Sequence, residues 1–356
     1  VIDKVRDKIL KEGIDYTLSY SNTNTTGVRE DNTINAGDIT ITVTGNGDYT
    51  GSISGDKTKY TIGKKTISVD NLKAVDKEYD GSTKIQIKAD EAVLSGVVTG
   101  DAVRLLASSE GQVYSPNARA NKYVIINGEA QLEGKNSSNY DLEPLADITV
   151  TITPKTLTDD MFTVADTIGG KAIVYNGAEQ TPEITSKDLA TVKNEETGND
   201  EQKNIIDPSD YFVTYSDNIH AGIGVVTITA DDEEGVDHNY VGSVTLEFNI
   251  AKAPLTITAE AASSVYGKDI AELTYNVSSG SIYTDYDKTD LDIKAVTSVK
   301  TGYGVKTYSD AVSIEYNASN TDYDVTTVAA DYTITSAGEL EVTAKGYTGV
   351  YDGNEH

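Results

Sequence analysis

Cysteine and tryptophan are absent from the 356-residue chain, and phenylalanine occurs only three times. Without cysteine there is no disulfide, no thiolate metal site and no cysteine nucleophile. Basic residues are scarce as well, since 29 Lys and Arg stand against 57 Asp and Glu, for a formal net charge of −28. Such a surface repels phosphate backbones and anionic lipid, so nucleic acid and membrane surfaces are disfavoured as partners.

Long apolar runs are also missing, so no segment predicts membrane insertion as a transmembrane helix. The first residues do not have the pattern of a signal peptide. Tyrosine, by contrast, is abundant, with 23 residues. Because β-branched and aromatic residues are enriched in strands, a chain rich in Tyr, Thr, Val and Ile is predicted to be all-β.

Two short signals recur along the chain and stay in phase with each other. The first is a tyrosine followed by a turn, and Asp-Gly or Asn-Gly at such a place tolerates the positive backbone angles of tight turns. The second is Asn-Tyr or Asp-Tyr ahead of a closing strand. The turn residues are Tyr79, Asp80, Gly81, Tyr175, Asn176, Gly177, Tyr266, Gly267, Tyr351, Asp352 and Gly353, and the second signal is Asp48-Tyr49, Asn139-Tyr140, Asn239-Tyr240 and Asp322-Tyr323.

The turn tyrosines are 96, 91 and 85 residues apart, which is the size of one immunoglobulin-like sandwich. We therefore predict tandem small β-sandwich or β-grasp-like (Ig-like) domains, arranged end to end in an elongated chain. Because the sequence stops within the motif at Tyr351, we expect a piece of a longer protein. The predicted domains are a partial repeat at 1–64, complete repeats at 65–154, 155–252 and 253–338, and the start of a further repeat at 339–356.

Two segments depart from this pattern. The polar run from Lys193 to Lys203 has no apolar period and predicts a solvated loop. The first ten residues fit either a short amphipathic helix or the edge of a β-sheet.

Several of these stretches resemble repeats of Gram-positive surface proteins of the adhesin type. Tyr79-Asp-Gly-Ser-Thr83, with Leu94–Val103 and Asn139-Tyr140, resembles the YDG-type repeat. Residues 1–64 and 155–252 resemble bacterial Ig-like repeats, and residues 253–338 resemble an MBG-type repeat. The resemblance implies a cell-wall-attached or secreted extracellular protein.

The function implied by this resemblance is a non-catalytic stalk that spaces a binding head and binds glycan or a host or cell-surface protein. Accessory polysaccharide-binding repeats of a carbohydrate-active enzyme are an alternative, and a structural rod without any ligand is another. Each turn tyrosine is either a sugar-stacking platform or a ring that closes the end of a sandwich. No Gly-x-Ser-x-Gly or His-Glu-x-x-His motif occurs in the sequence, so we assign no catalytic residue and no cofactor other than calcium.

Acidic runs are the candidates for a metal site. Calcium takes six to eight oxygen ligands from loops of this kind. Neither run has the spacing of a helix-flanked calcium loop, so each is either a calcium-binding loop or a solvated acidic loop. The candidate ligands are Asp285, Asp287, Asp290, Asp292, Asp231 and Asp232.

Overall fold

The computed structural model describes residues 1–24, 32–193, 199–231 and 238–355. These residues form almost entirely β-structure in many small sheets, which confirms the all-β class. The chain divides into two compact units. Unit 1 comprises Val1–Leu157, Lys187–Phe212 and Thr229–Ser243, and unit 2 comprises Thr158–Ser186, Val213–Ile228 and Val244–His356.

The first 64 residues form one antiparallel sheet and a separate hairpin. The strand Gly37–Gly45 pairs along its length with Tyr16–Asn22 and also pairs with Ser52–Ile53 and Lys59–Ile62. Alternating apolar residues of Gly37–Gly45 place Ile39 in the interior, where it is fully buried.

The two segments that depart from the repeat pattern both form β-structure. The first ten residues form a hairpin of Ile2–Asp3 and Lys8–Ile9 and not a helix. The carboxylate of Asp3 accepts the backbone N–H groups of the next turn, which favours the hairpin. The prediction of a loop from 193 to 203 was wrong at both ends, because Leu189–Lys193 pairs with Asp200–Asn204. Every residue of Asp200–Asn204 is exposed, so this strand forms without an apolar face of its own.

A three-stranded sheet with the same topology occurs in residues 65–154 and 253–338. In each, the first strand lies in the centre, antiparallel to one neighbour and parallel to the strand that begins at the tyrosine of the second signal. The two sheets, in spatial order, are Val93–Ser95, Lys65–Asp70, Tyr140–Leu142 and Tyr275–Ser279, Ala253–Ala259, Tyr323–Val328.

A second sheet recurs in the same two segments and carries the closing strand. The closing strand is antiparallel to one neighbour. It is parallel to a second strand, which ends at the residue before the turn tyrosine. These sheets are Arg119–Tyr123, Thr149–Thr153, Lys77–Glu78 and Lys294–Thr297, Lys306–Glu315, Ala330–Thr335, Ala262–Val265.

Residues 155–252 contribute to both compact units. One sheet of the described residues consists of Tyr211–Ser216, Gly222–Ala230 and Ser243–Ile250. The parallel pair recurs here too, with Lys155 opposite Tyr240. The shorter paired strands are Lys155–Thr156 with Tyr240–Val241, Phe162–Val164 with Ile184–Ser186, and Thr167–Ile168 with Lys171–Ala172.

The remaining elements are short. Within the described residues one α-helix, Asp285–Leu291, is found, and no helix there is long and apolar enough to cross a membrane. The other strands are Lys84–Gln86, Arg104–Leu106, Glu110–Gln112, Ile125–Ile126 and Gln131–Glu133, and the 3-10 turns are Asn32–Ile34, Asp56–Thr58, Ala89–Glu91, Ser137–Asn139, Asp159–Met161 and Pro208–Asp210.

The core of unit 2 follows from period-two alternation in the strand Ala253–Ala259. Leu255 and Ile257 point inward and are fully buried, while the threonines between them face outward. Burying each of these side chains contributes roughly 1.5–3 kcal/mol. Leu291 of the helix and Tyr323 of the parallel neighbour pack into the same cluster. The first strand therefore holds together the elements that form the site described next.

Candidate functional site

The turn tyrosines occupy equivalent backbone positions at the end of the closing strands. Each backbone N–H donates to a carbonyl of the closing strand or of the residue just after it, and the glycine of each turn has the positive φ that favours glycine. The three N–H···O distances are 2.8 Å for Tyr79 to Thr153, 2.9 Å for Tyr175 to Ala251 and 2.8 Å for Tyr266 to Thr335, and the φ values are 70° for Gly81, 75° for Gly177 and 77° for Gly267.

The four turn tyrosines differ sharply in exposure. Tyr79 and Tyr175 are 6% and 2% exposed, whereas Tyr266 and Tyr351 are 48% and 94% exposed. A ring that is buried in the protein has no face open to a sugar. The stacking interpretation therefore applies only to Tyr266 and Tyr351.

The ring of Tyr175 is buried against the next predicted domain, in a cluster that we call the Asp287 joint: Tyr175, Asp287 and Tyr323. The two tyrosine rings meet edge to face, with centroids 5.4 Å apart. Both hydroxyl groups donate to the carboxylate, at 2.8 Å to Oδ1 from Tyr175 and 2.8 Å to Oδ2 from Tyr323. Asp287 is 1% exposed, so these bonds replace its contact with water.

A capping box holds Asp287 in place. Its backbone N–H donates to Thr284 Oγ1 at 3.0 Å, and its Oδ2 accepts the backbone N–H of Thr284 at 3.1 Å. This reciprocal pair starts the helix Asp285–Leu291, which ends on the buried Leu291. The calcium-loop and the solvated-loop interpretation both predicted a loop from Asp285 to Asp292, and that was wrong. Threonine three residues before an acid was the signal for a helix start.

A related cluster lies in unit 1, which we call the Asp188 joint: Tyr79, Asp188 and Tyr240. The rings of Tyr79 and Tyr240 are edge to face at 5.5 Å. The Tyr240 hydroxyl donates to Asp188 Oδ2 at 3.0 Å, and Lys155 Nζ donates to Asp188 Oδ1 at 2.7 Å. The Lys155 ammonium group is thus the second hydrogen-bond donor to Asp188, in the role that the Tyr175 hydroxyl has toward Asp287.

The tyrosine of the second signal donates to a carboxylate in all four occurrences. The acceptor precedes the tyrosine by 36 to 52 residues, and sequence reasoning missed it because nothing local marks it. The bonds run from Tyr49 to Asp3 at 3.1 Å, Tyr140 to Asp101 at 2.5 Å, Tyr240 to Asp188 at 3.0 Å and Tyr323 to Asp287 at 2.8 Å.

The residue before that tyrosine reaches back to the preceding predicted domain. Its side-chain oxygen accepts the backbone N–H of an alanine just ahead of a strand. The N–H···O distances are 3.0 Å from Ala36 to Asn139, 2.9 Å from Ala118 to Asn239 and 2.8 Å from Ala221 to Asp322. The two-residue signal thus joins neighbours, with the Asn or Asp contacting the domain before it and the Tyr bonding within its own domain.

His220 shows how the same joint accepts different side chains. Its Nδ1 lies 2.9 Å from Asp322 Oδ2, and its ring stacks on Tyr175 at 6.2 Å. In the first joint Asn35 takes the equivalent place and accepts from Asn139 Nδ2 at 3.2 Å. The position of Asn35 and His220 therefore holds a polar side chain that pairs with the Asn or Asp of the second signal.

A cavity of about 350 Å³ lies in the first joint. Ile34 and Ile62 line it from one predicted domain, and Val98 and Tyr140 line it from the next.

Burial raises the pKa of the tyrosine hydroxyls in both clusters. The pKa of Tyr175 lies well above its ordinary value because of burial first and the hydrogen bond to Asp287 second. Burial raises the pKa of Tyr323 and Tyr240 in the same way, with added repulsion from the nearby carboxylates. The raised pKa values keep all three hydroxyls protonated, as hydrogen-bond donors, at neutral pH.

We expect the chain to lose stability as the pH rises above about 10, the ordinary tyrosine pKa. Above that value the unfolded chain releases these protons and the folded chain retains them, so unfolding gains up to about 1.4 kcal/mol per pH unit for each tyrosine. Thermal unfolding between about pH 8 and about pH 11 measures the slope. Tyr323→Phe should reduce the slope; an equal slope in this variant and in the unmodified chain would contradict this account.

The turn glycines provide a matched pair of substitutions. A Cβ at Gly177 would lie 2.9 Å from both Tyr283 Cβ and Thr284 Cγ2, whereas a Cβ at Gly267 has nothing within 4 Å. The φ angles of Gly177 and Gly267 are 75° and 77°. An alanine at either position therefore carries the left-handed backbone strain of roughly 1–2 kcal/mol. We expect Gly177→Ala to cost about 1–3 kcal/mol more than Gly267→Ala, because the neighbouring backbone must move. Denaturant unfolding of both variants compares them, and equal losses would show that the contact carries no energy.

The calcium candidates do not lie together. Asp290 accepts from Asn320 Nδ2 at 2.8 Å, and Asp292 forms an ion pair with Lys294 at 2.7 Å. No three of the described acids and histidines are grouped so that they hold a metal ion. Asp285 is exposed at the start of the helix, Asp287 is buried in its joint, the backbone N–H of Asp231 donates to Asp210, and Asp232 lies outside the described residues.

Residues 63–150 match the YDG domain. The YDG resemblance of this segment is thereby confirmed. The YDG domain contains Tyr79 and the Tyr140–Asp101 pair, so it contributes to the joints on both of its sides. The MBG-type and Ig-like resemblances stay predictions. No curated protein matches the chain in sequence.

Two solved structures are similar to the chain at a low level. Drosophila N-cadherin EC1-4 is 9% identical, over 92% of this chain and 94% of that one, with a TM-score of 0.21. Domains 1-6 of the surface layer protein SbsC are 10% identical, over 91% of this chain, with a TM-score of 0.21. The chain spans 50% of the length of the SbsC structure. A TM-score this low does not establish a shared fold.

Proposed function

We propose that the chain is a non-catalytic extracellular spacer and adhesion segment of a large bacterial surface or secreted protein, with Ig-like, YDG and MBG-type modules in series. The observation that carries the proposal is the recurring joint. A spacer requires that each module is held to the next, and the joints at Asp188 and Asp287 bury aromatic rings and a carboxylate for that purpose. The use of these buried acids as acceptors for tyrosine hydroxyls supports a structural role for them in preference to a catalytic one.

A distance measurement across the Asp287 joint tests the proposal. Because the chain has no cysteine, spin labels at Thr163→Cys and Lys306→Cys have no background. Both positions are exposed and lie on strands of unit 2. We expect a single narrow distance distribution in pulsed electron resonance, as for two modules held by one joint.

The matched variants are Asp322→Ala, which removes the acceptor of the Ala221 N–H, and Asp324→Ala, two residues later on the exposed face of the strand Tyr323–Val328. The first should broaden the distribution and the second should not. A broad distribution in the unmodified chain would mean that the modules move independently, and it would overturn the spacer proposal.

Polysaccharide binding is the second candidate function, and one surface of the YDG domain favours it. Tyr114 and Tyr123 are 98% and 71% exposed beside a cleft of about 720 Å³. Exposed aromatic faces next to polar groups are the arrangement that stacks on sugar rings. The cleft is also lined by Ser115, Asn117, Arg119, Ala120, Asn121 and Lys122.

Binding of the full chain to immobilised cell-wall and plant polysaccharides separates these two functions. Saturable binding that is lost in Tyr114→Ala or Tyr123→Ala supports the polysaccharide site. Tyr286→Ala is the matched control, because this ring is 69% exposed on the helix and does not line the cleft. Absence of binding to every polymer would leave only the spacer function.

A further inference from the structure

The third turn of this kind, at Tyr266, has the backbone arrangement of the two buried joints but leaves its tyrosine half exposed. Tyr266 makes the same backbone bond to its closing strand as Tyr79 and Tyr175 make to theirs. Its ring is 48% exposed, against 6% and 2% for those two. The backbone at this end of residues 253–338 therefore has the same arrangement as the ends that contact a following predicted domain.

The glycines of the turns report the neighbour directly. A Cβ at Gly81 would meet Ile205 Cγ2 at 2.7 Å, and one at Gly177 would meet Tyr283 Cβ at 2.9 Å. In both cases the contacted residue belongs to the following predicted domain. Gly267 follows its tyrosine directly, whereas Gly81 and Gly177 lie two residues after theirs, and a Cβ at Gly267 meets nothing within 4 Å.

Strand register identifies the third group of this surface. Arg119 lies opposite Ile152, and Lys306 lies opposite Ile334, in the equivalent pair of strands. The residue before Arg119 is Ala118, whose N–H is bound by the next domain. The corresponding residue before Lys306 is Val305, which is 55% exposed.

We infer that Tyr266, Gly267 and Val305 form a docking surface for a further β module of this repeat type. The module would present an Asn-Tyr or Asp-Tyr pair, with the tyrosine ring edge-on to Tyr266 and the Asn or Asp oxygen accepting the Val305 N–H. The joints at Asp188 and Asp287 contain both of these contacts, the edge-to-face tyrosine pair and the backbone N–H bond to an Asn or Asp oxygen. The inference rests on the proposed spacer function, since it extends the same joint by one module.

The strand that would start such a module is already in the chain. Leu340 and Val342 alternate with acidic and polar residues, as Leu255 and Ile257 alternate with threonines. Leu255 and Ile257 are fully buried beside the parallel strand that begins at Tyr323. Leu340 and Val342 are 88% and 77% exposed. An incoming Asn-Tyr or Asp-Tyr strand would cover them.

Hydrogen exchange on the full chain and on an extended chain tests the inference. In the extended chain, residues 259–335 follow Thr343, so that Leu340–Thr343 takes the place of Leu255–Thr258 in the added copy. We expect the Val305 amide to exchange at least about tenfold more slowly in the extended chain, because its N–H is then bound inside the protein. Asp322→Ala in the added copy alone should abolish this protection while the strands of that copy stay protected.

A second extension, with residues 159–251 after Thr343, keeps the test decisive if the first added module does not fold. Unchanged Val305 exchange in both extended chains would overturn the inference. The internal amides of Ala118 and Ala221 separate this result from failure of the spacer proposal. If they are protected and Val305 is not, only the docking surface is wrong, whereas fast exchange at all three would mean that the joints themselves do not hold.

Discussion

Replacing Asp287 by alanine is expected to lower the unfolding free energy of residues 253–338 by about 3–5 kcal/mol. The carboxylate accepts hydroxyls from Tyr175 and Tyr323 at 2.8 Å each and the backbone N–H of Thr284 at 3.1 Å. Its removal leaves two buried hydroxyls without their acceptor and removes half of the capping box. Each loss of a bond to a charged acceptor costs about 1.5–3 kcal/mol, and the losses are not fully additive.

The measurement must be local, because a chain with several modules does not unfold in one step. Hydrogen exchange in the strand Ala253–Ala259 reports the stability of this segment. Asp285→Ala is the matched control, since Asp285 is exposed in the same helix turn and is expected to change stability by less than about 0.5 kcal/mol. Equal exchange rates in the two variants would show that the buried carboxylate contributes nothing beyond its surface neighbour.

Much of this arrangement follows from local sequence pattern. Leu255 and Ile257 alternate with threonines, a pattern typical of a strand with one buried face, and both side chains are fully buried. Tyr-Asp-Gly and Tyr-Asn-Gly predicted tight turns, and Gly81 and Gly177 have positive φ. These features depend on residues within a few positions of each other, which is why pattern reasoning reaches them.

The acceptors of the tyrosine hydroxyls could not be predicted in this way. Asp188 and Asp287 are two of 57 acidic residues, and each lies tens of residues from its tyrosine. Only the fold brings them together. The helix start at Thr284 was within reach, because a threonine three residues before an acid is a capping signal. The alternating acids of the same run favour a metal-binding interpretation, which competes with the capping signal.

The exposure of Tyr266 was also beyond the sequence. The turn at Tyr266 has nearly the same local sequence role as the turns at Tyr79 and Tyr175, so a repeat argument treats all three alike. What differs is whether a following module covers the ring. A repeat signal therefore predicts the backbone of the turn and leaves the surroundings of the side chain undetermined.

Truncating Tyr175 to alanine is expected to cost about 3–5 kcal/mol, the loss found for large buried aromatic side chains. The ring is 2% exposed, and it contacts Tyr323 edge to face at 5.4 Å. The variant removes this contact, opens a cavity in the joint and deprives Asp287 of one of its two hydroxyl donors. Hydrogen exchange in Tyr323–Val328 and in Ala253–Ala259 measures the effect on the module that follows.

Tyr266→Ala is the matched control, because it removes the same side chain from the same backbone position with 48% of it already exposed. We expect this variant to cost less than about 1 kcal/mol, since little packing is lost. Tyr175→Phe divides the larger loss further, because it keeps the ring and removes only the hydroxyl, at about 1–3 kcal/mol. If Tyr175→Ala and Tyr266→Ala lose the same stability, the ring contributes to its own turn and not to the joint. A large difference between them, with Tyr175→Phe between the two, places the energy in the contact between modules, which is the property a spacer requires.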